Sequence, residues 1–97
     1  MRRVATRPKK AGKTDRLTKS LHSPLHERFV HLIRAARLEA GLSQVEAAAK
    51  LGIRQSFISD IERGQRRVDV VEFVRFCGAY GIRPAAFFRR LTESEST

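Results

Sequence analysis

The residues best placed to do chemistry fall in one stretch, residues 44–63, QVEAAAKLGIRQSFISDIER. At helical spacing Ile58 and Ile61 share one face of a short helix, while Gln55, Ser56, Ser59 and Asp60 fall on the others. One face packs and the other is free to touch something. The chemistry open to those four side chains is hydrogen bonding: the amide donates and accepts, the hydroxyls do either, and the carboxylate accepts. Catalysis is not among the expectations. The acids lie mostly in helix-capping patterns, there is no glycine-rich phosphate loop, and no nucleophile has a convincing base partner. Charge narrows what the polar face would meet. Twenty Lys and Arg oppose 10 Asp and Glu, a net charge of +10, so the expected partner is a polyanion and nucleic acid comes first.

The elements that hold this stretch in place are legible on both sides of it. Ala47 and Ala48 let a second helix approach closely, and Gly52 after Leu51 supplies the left-handed stop that ends a first helix. Ser43 with Glu46 three residues on forms a capping box that fixes where this helix starts, and with it Gln44. Upstream, Ser23-Pro24 marks another helix start, followed by Leu25, Phe29, Leu32, Ile33 and Ala36 as an apolar stripe ending near Gly41. Downstream, Asp69 and Glu72 open a fourth helix that runs to Tyr80 and stops at Gly81. Its apolar residues span roughly 220° of the circumference, more than one core stripe needs. A last helix starts at Pro84, and its adjacent Phe87 and Phe88 point about 100° apart, one inward and one to the edge. Val70, Val71, Val74, Phe88 and Leu91 are therefore expected to form a self-complementary patch and a homodimer.

Gln44, Ala48, Gly52, Ile53, Ile58 and Ile61, with GLSQ before them and IERG after, resemble the helix-turn-helix of the Cro and phage-repressor type, the Xre-like family. The likeness runs from about Phe29 to Leu91. It implies an all-α fold, a compact five-helix lambda-repressor-like DNA-binding domain whose second motif helix lies in the major groove while the first crosses the backbone. By position in the motif, Gln55, Ser56 and Asp60 would face base edges, with Arg54 at the mouth of the groove and Ser59 flanking. Gln55 fits a bidentate pair with adenine. Phosphates would be met by Ser43 and Gln44 at a helix N-terminus, and by the loop Gln65, Arg66 and Arg67. Arg37 and Glu62 look like a fold-clamping ion pair rather than DNA contacts. Two residues depart from the pattern. Arg54 stands where relatives often carry a capping Ser or Thr, and Asp60 is acidic where basic or amide residues are common.

Outside the motif, residues 1–22 read as a flexible basic arm, with Arg2, Arg3, Arg7, Lys9, Lys10, Lys13, Arg16 and Lys19 against Asp15 alone. Residues 23–91 form the DNA-binding domain, and 92–97 are expected to be a flexible polar tail. No stretch has the length of a membrane span and the basic amino end lacks the apolar run of a signal peptide, which points to the cytoplasm and the nucleoid. Cys77 reads as a core hydrophobe, and His22, His26 and His31 lack the clustering of a metal site; no cofactor or small-molecule ligand is expected. The expected partner is double-stranded DNA, the expected function transcriptional control by a homodimer on a palindromic operator. The rival of another class is an antitoxin that masks a toxin protein and regulates its own operon.

Overall fold

The structure of the protein, a computed structural model, describes residues 23–96, the last three by their backbone alone. The basic arm and His22 lie outside the described residues. Five helices follow in order: α1 Pro24–Glu39, α2 Gln44–Leu51, α3 Gln55–Glu62, α4 Val70–Tyr80 and α5 Pro84–Ser96. Each boundary has a local cause. The Ser23 hydroxyl accepts from the His26 N–H at 3.0 Å and Pro24 takes the first helical position. Ser43 and Glu46 cap α2 reciprocally, and Asp69 and Glu72 do the same for α4. Helix α3 is the exception, since Arg54 occupies its N-cap and makes no side-chain cap bond.

All five helices feed one core. Ile33 and Ala36 of α1, Ala47, Ala48 and Leu51 of α2, Ile58 and Ile61 of α3, Phe73, Phe76, Cys77 and Tyr80 of α4 and Phe87 of α5 are buried together. Ala47 is 0% exposed, which is how a residue without a bulky side chain lets α2 and α3 cross at close range. Phe29, Phe73 and Phe87 tie α1, α4 and α5 together, with ring centroids 4.9–6.0 Å apart and two of the three contacts edge-on. Cys77 is part of this apolar wall, and burial pushes its thiol pKa up, away from the reactive thiolate.

The two apolar faces of α4 separate cleanly. Phe73, Phe76, Cys77 and Tyr80 enter the core, whereas Val70, Val71 and Val74 stay 74%, 71% and 51% exposed. On α5, Phe87 is buried and Phe88 exposed. Leu91 corrects the sequence reading. The sequence puts it on the exposed patch, yet it is buried within its own chain, because it lies four residues after Phe87 and so shares its inward face. Leu25 differs the other way, exposed although it belongs to the α1 stripe. The last helix also runs further than expected, to Ser96 instead of ending at Leu91. Neither Gly nor Pro follows Leu91 to stop it, and the Thr92 hydroxyl is absorbed by donating to the Phe88 carbonyl at 2.8 Å.

Gly52 has φ +72° and open space around the position a Cβ would take. Gly52→Ala is therefore expected to cost stability through backbone strain alone, about 1 kcal/mol. Urea unfolding checks this, with the slope of the transition unchanged.

Candidate nucleic-acid interface

The polar side of the α2–α3 pair is built around a buried carboxylate. Glu62, at the last turn of α3, has a side chain only 5% exposed. Arg37 of α1 donates to both its oxygens, Nε to Oε2 at 2.6 Å and Nη2 to Oε1 at 2.9 Å. The same guanidinium donates through Nη1 to the Leu42 carbonyl at 2.7 Å, so it also fixes the connection between α1 and α2. The planar fork suits this task, and the hydrogen bond to Glu62 raises the Arg37 pKa further above its ordinary value.

From this carboxylate an oriented chain of amides leads outward. Gln44 Nε2 donates to Glu62 Oε1 at 3.1 Å, and Gln55 Nε2 donates to Gln44 Oε1 at 2.8 Å. A carboxylate can only accept, so Gln44 must turn its nitrogen inward and its oxygen out. Gln55 is then aligned in turn. Its own oxygen and second N–H are left at the exposed N-terminus of α3, a side-by-side acceptor and donor. Arg54 and Ser56 are exposed beside it, and Ser59 is partly exposed one turn on.

Other predicted residues have partners that define what they can do. The Asp60 carboxylate is paired with Arg63, three residues on along the same edge, which offsets its negative charge locally. Arg66 is folded back onto the protein: its guanidinium lies 3.9 Å from the centroid of the Phe57 ring and donates to Glu72 at 3.1 Å. Arg66 thus joins α3 to the cap of α4 instead of reaching out with its loop neighbours. Gln65 and Arg67 are exposed, and the Gln65 N–H closes the end of α3 on the Asp60 carbonyl at 2.9 Å. Ser43 is exposed, with its hydroxyl committed to capping α2. Among the described residues no cluster of His, Cys, Asp or Glu could hold a metal, and no helix is long and apolar enough to cross a membrane.

Away from this edge, a groove of about 370 Å³ opens between the start of α1, the start of α4 and α5. Its walls are largely apolar, with Leu25, Phe29, Val70, Phe73, Phe88 and Leu91 among them. Leu91 therefore forms part of the groove floor although its side chain is covered.

Sequence reasoning named Gln44 and Gln55 separately and missed that one orients the other. The only signal was their spacing, one at the start of each motif helix. It missed Arg34 altogether, which lies with Nε 3.9 Å from the same Glu62 oxygen; the hint was its place three residues before Arg37.

A family model described as helix-turn-helix matches residues 33–87. The chain belongs to that family, in its Xre-like branch. Among solved structures, an XRE-family like protein from Pseudomonas syringae pv. tomato str. DC3000 is 40% identical, with 80% of this chain and 95% of that one covered and a TM-score of 0.71. The wild-type restriction-modification controller protein C.Esp1396I is 25% identical over 77% of this chain and 99% of its own, with a TM-score of 0.69. The tetramer of that controller in complex with its natural 35 base-pair operator matches at 27% identity, 73% and 93% coverage and a TM-score of 0.66. No curated protein matches the chain. Membership makes it a DNA-binding regulator of transcription, a family of binding proteins rather than enzymes. In this helix-turn-helix protein α2 and α3 are the motif, and α1 supplies the arginine that locks them.

Removing either partner of the Arg37–Glu62 pair strands the other in the interior. Glu62→Ala and Arg37→Ala are each expected to destabilise the domain by about 3–5 kcal/mol, and the double substitution by less than the sum. Chemical denaturation of the three variants checks both statements.

Proposed function

We propose that this helix-turn-helix protein acts as a homodimer on a roughly palindromic operator, with α3 of each protomer in the major groove, as a repressor of the promoter it occupies. The observation that carries the reading is the amide chain from Glu62 through Gln44 to Gln55. It offers a fixed acceptor and donor at the tip of α3, the pattern that pairs with N6 and N7 of adenine. Pre-orientation matters because a free glutamine would lose side-chain freedom on binding and would accept either face of the pattern. Phosphate contacts come from Arg54, Gln65 and Arg67 around this tip, with the Ser43 and Gln44 end of α2 on the other side. Arg66 supports them from behind by bracing α3 against α4. Arg54 gives up a helix cap in exchange for a charge at the groove mouth.

The dimer reading rests on Val70, Val71 and Val74 of α4 and Phe88 of α5, all exposed apolar residues. A two-fold axis through such a patch would set two copies of α3 at a fixed separation. The controller protein C.Esp1396I, similar over most of its length, assembles as a tetramer on its operator.

Four measurements on the full chain test the reading, with the DNA upstream of its own gene as the duplex. The chain is expected to prefer that DNA to a scrambled duplex. Gln55→Ala should lower the preference by about 1–3 kcal/mol while leaving scrambled-duplex binding unchanged. Arg54→Ala should weaken both duplexes alike and reduce the slope of log K against log salt by about 1. Val71→Asp with Val74→Asp should shift the protein to monomer in sedimentation at the concentrations where the unaltered chain is dimeric, with the operator preference weakened. Absence of any preference in the unaltered chain would defeat the operator reading.

A further inference from the structure

Arg34 is the charge the motif does not account for. It lies on α1, outside the helix-turn-helix, and its Nε is 3.9 Å from Glu62 Oε1. That oxygen also accepts from Gln44 Nε2 at 3.1 Å, so the guanidinium stands beside the amide that opens α2. Unlike Arg37, whose side chain is 7% exposed, the Arg34 side chain is 57% exposed. Glu62 does not need it for neutrality: Arg37 already holds both carboxylate oxygens with a full positive charge. Two arginines thus face one buried carboxylate, and the surplus charge is the solvent-facing one. Glu46, at the start of α2, is occupied by the Ser43 N–H in the cap at 2.8 Å.

We infer that Arg34 is a phosphate-binding residue, through which α1 grips the DNA backbone where it passes the N-terminus of α2. The inference rests on the operator reading above and adds a third element to it. The contact from Arg34 Nε to Glu62, at 3.9 Å, is too long for a hydrogen bond and does not engage the outer N–H groups of the guanidinium. Those groups form a planar fork that fits two phosphate oxygens. Helix α2 starts at Gln44, whose amide shares Glu62 Oε1 with Arg34, and the positive end of its dipole favours an anion. Arg34 and Gln44 would then clamp one phosphate from two helices. Because both are tied to Glu62, which also aligns Gln55, the position of the backbone and the orientation of the base-reading amide would be set by one group.

The test uses the full chain and the variants Arg34→Gln and Arg34→Lys, titrated against the upstream duplex and the scrambled duplex over a salt series, with urea unfolding of each. Arg34→Gln is expected to weaken both duplexes about tenfold and to lower the salt slope by about 0.9, with the ratio between duplexes kept. Arg34→Lys should restore the slope but not all the affinity, since it keeps the charge without the fork. An unchanged slope and affinity in Arg34→Gln overturns the inference, whether or not stability falls; Arg34 would then only offset the Glu62 charge. A changed ratio with an unchanged slope also overturns it, because it assigns Arg34 to base reading. If the unaltered chain shows no preference between duplexes, the operator reading fails by itself, and the slopes on the scrambled duplex still decide whether Arg34 meets phosphate.

Discussion

A carboxylate taken out of water must be answered, and in this domain the answer to Glu62 organises everything near it. Desolvation of the group costs several kcal/mol unless its lone pairs are filled. Arg37 fills one on each oxygen and in doing so crosses from α1 to the end of α3, with its spare N–H fastening the connection into α2. A further lone pair, on Oε1, goes to Gln44. The packing of three helices and the polarity of the exposed amides thus have one origin. A hydrophobic replacement of the pair could pack as well, but it would leave Gln44 and Gln55 with no reason to point one way.

The packed and the exposed residues of α3 separate along the helix. From its third residue to its last the helix is held by Arg66 lying on Phe57, by buried Ile58 and Ile61, and by Glu62. Its N-terminal end carries no cap and exposes Arg54, Gln55 and Ser56. A free N-terminus leaves unsatisfied N–H groups and positive helix dipole where a DNA backbone would approach. The same division appears in α4, which gives its aromatic face to the core and its valine face to solvent.

Much of the fold was readable because it is written in local chemistry. Ser23-Pro24, the two capping boxes, Gly52 and Gly81 each act within four residues, and each places a helix end where the structure has it. The division of α4 was readable for the same reason, since a face too wide for one core follows from periodicity alone. What could not be read was contact across elements. Leu91 is buried on the face it shares with Phe87, and periodicity gives its direction but not its cover. Arg66 has the same type and loop position as Arg67, and only the tertiary placement of Phe57 and Glu72 separates a brace from an exposed cation. Arg34 was passed over because an exposed helical arginine is ordinary until its distance to Glu62 is known.

The most direct measurement is selection of bound duplexes from a random pool by the full chain at moderate salt, followed by sequencing. The expected outcome is an inverted repeat whose half-sites are about one helical turn apart, each with an adenine at the position that Gln55 faces. Enrichment of no repeat, or of a single half-site without symmetry, would contradict a dimer that reads bases through the amide chain anchored on Glu62.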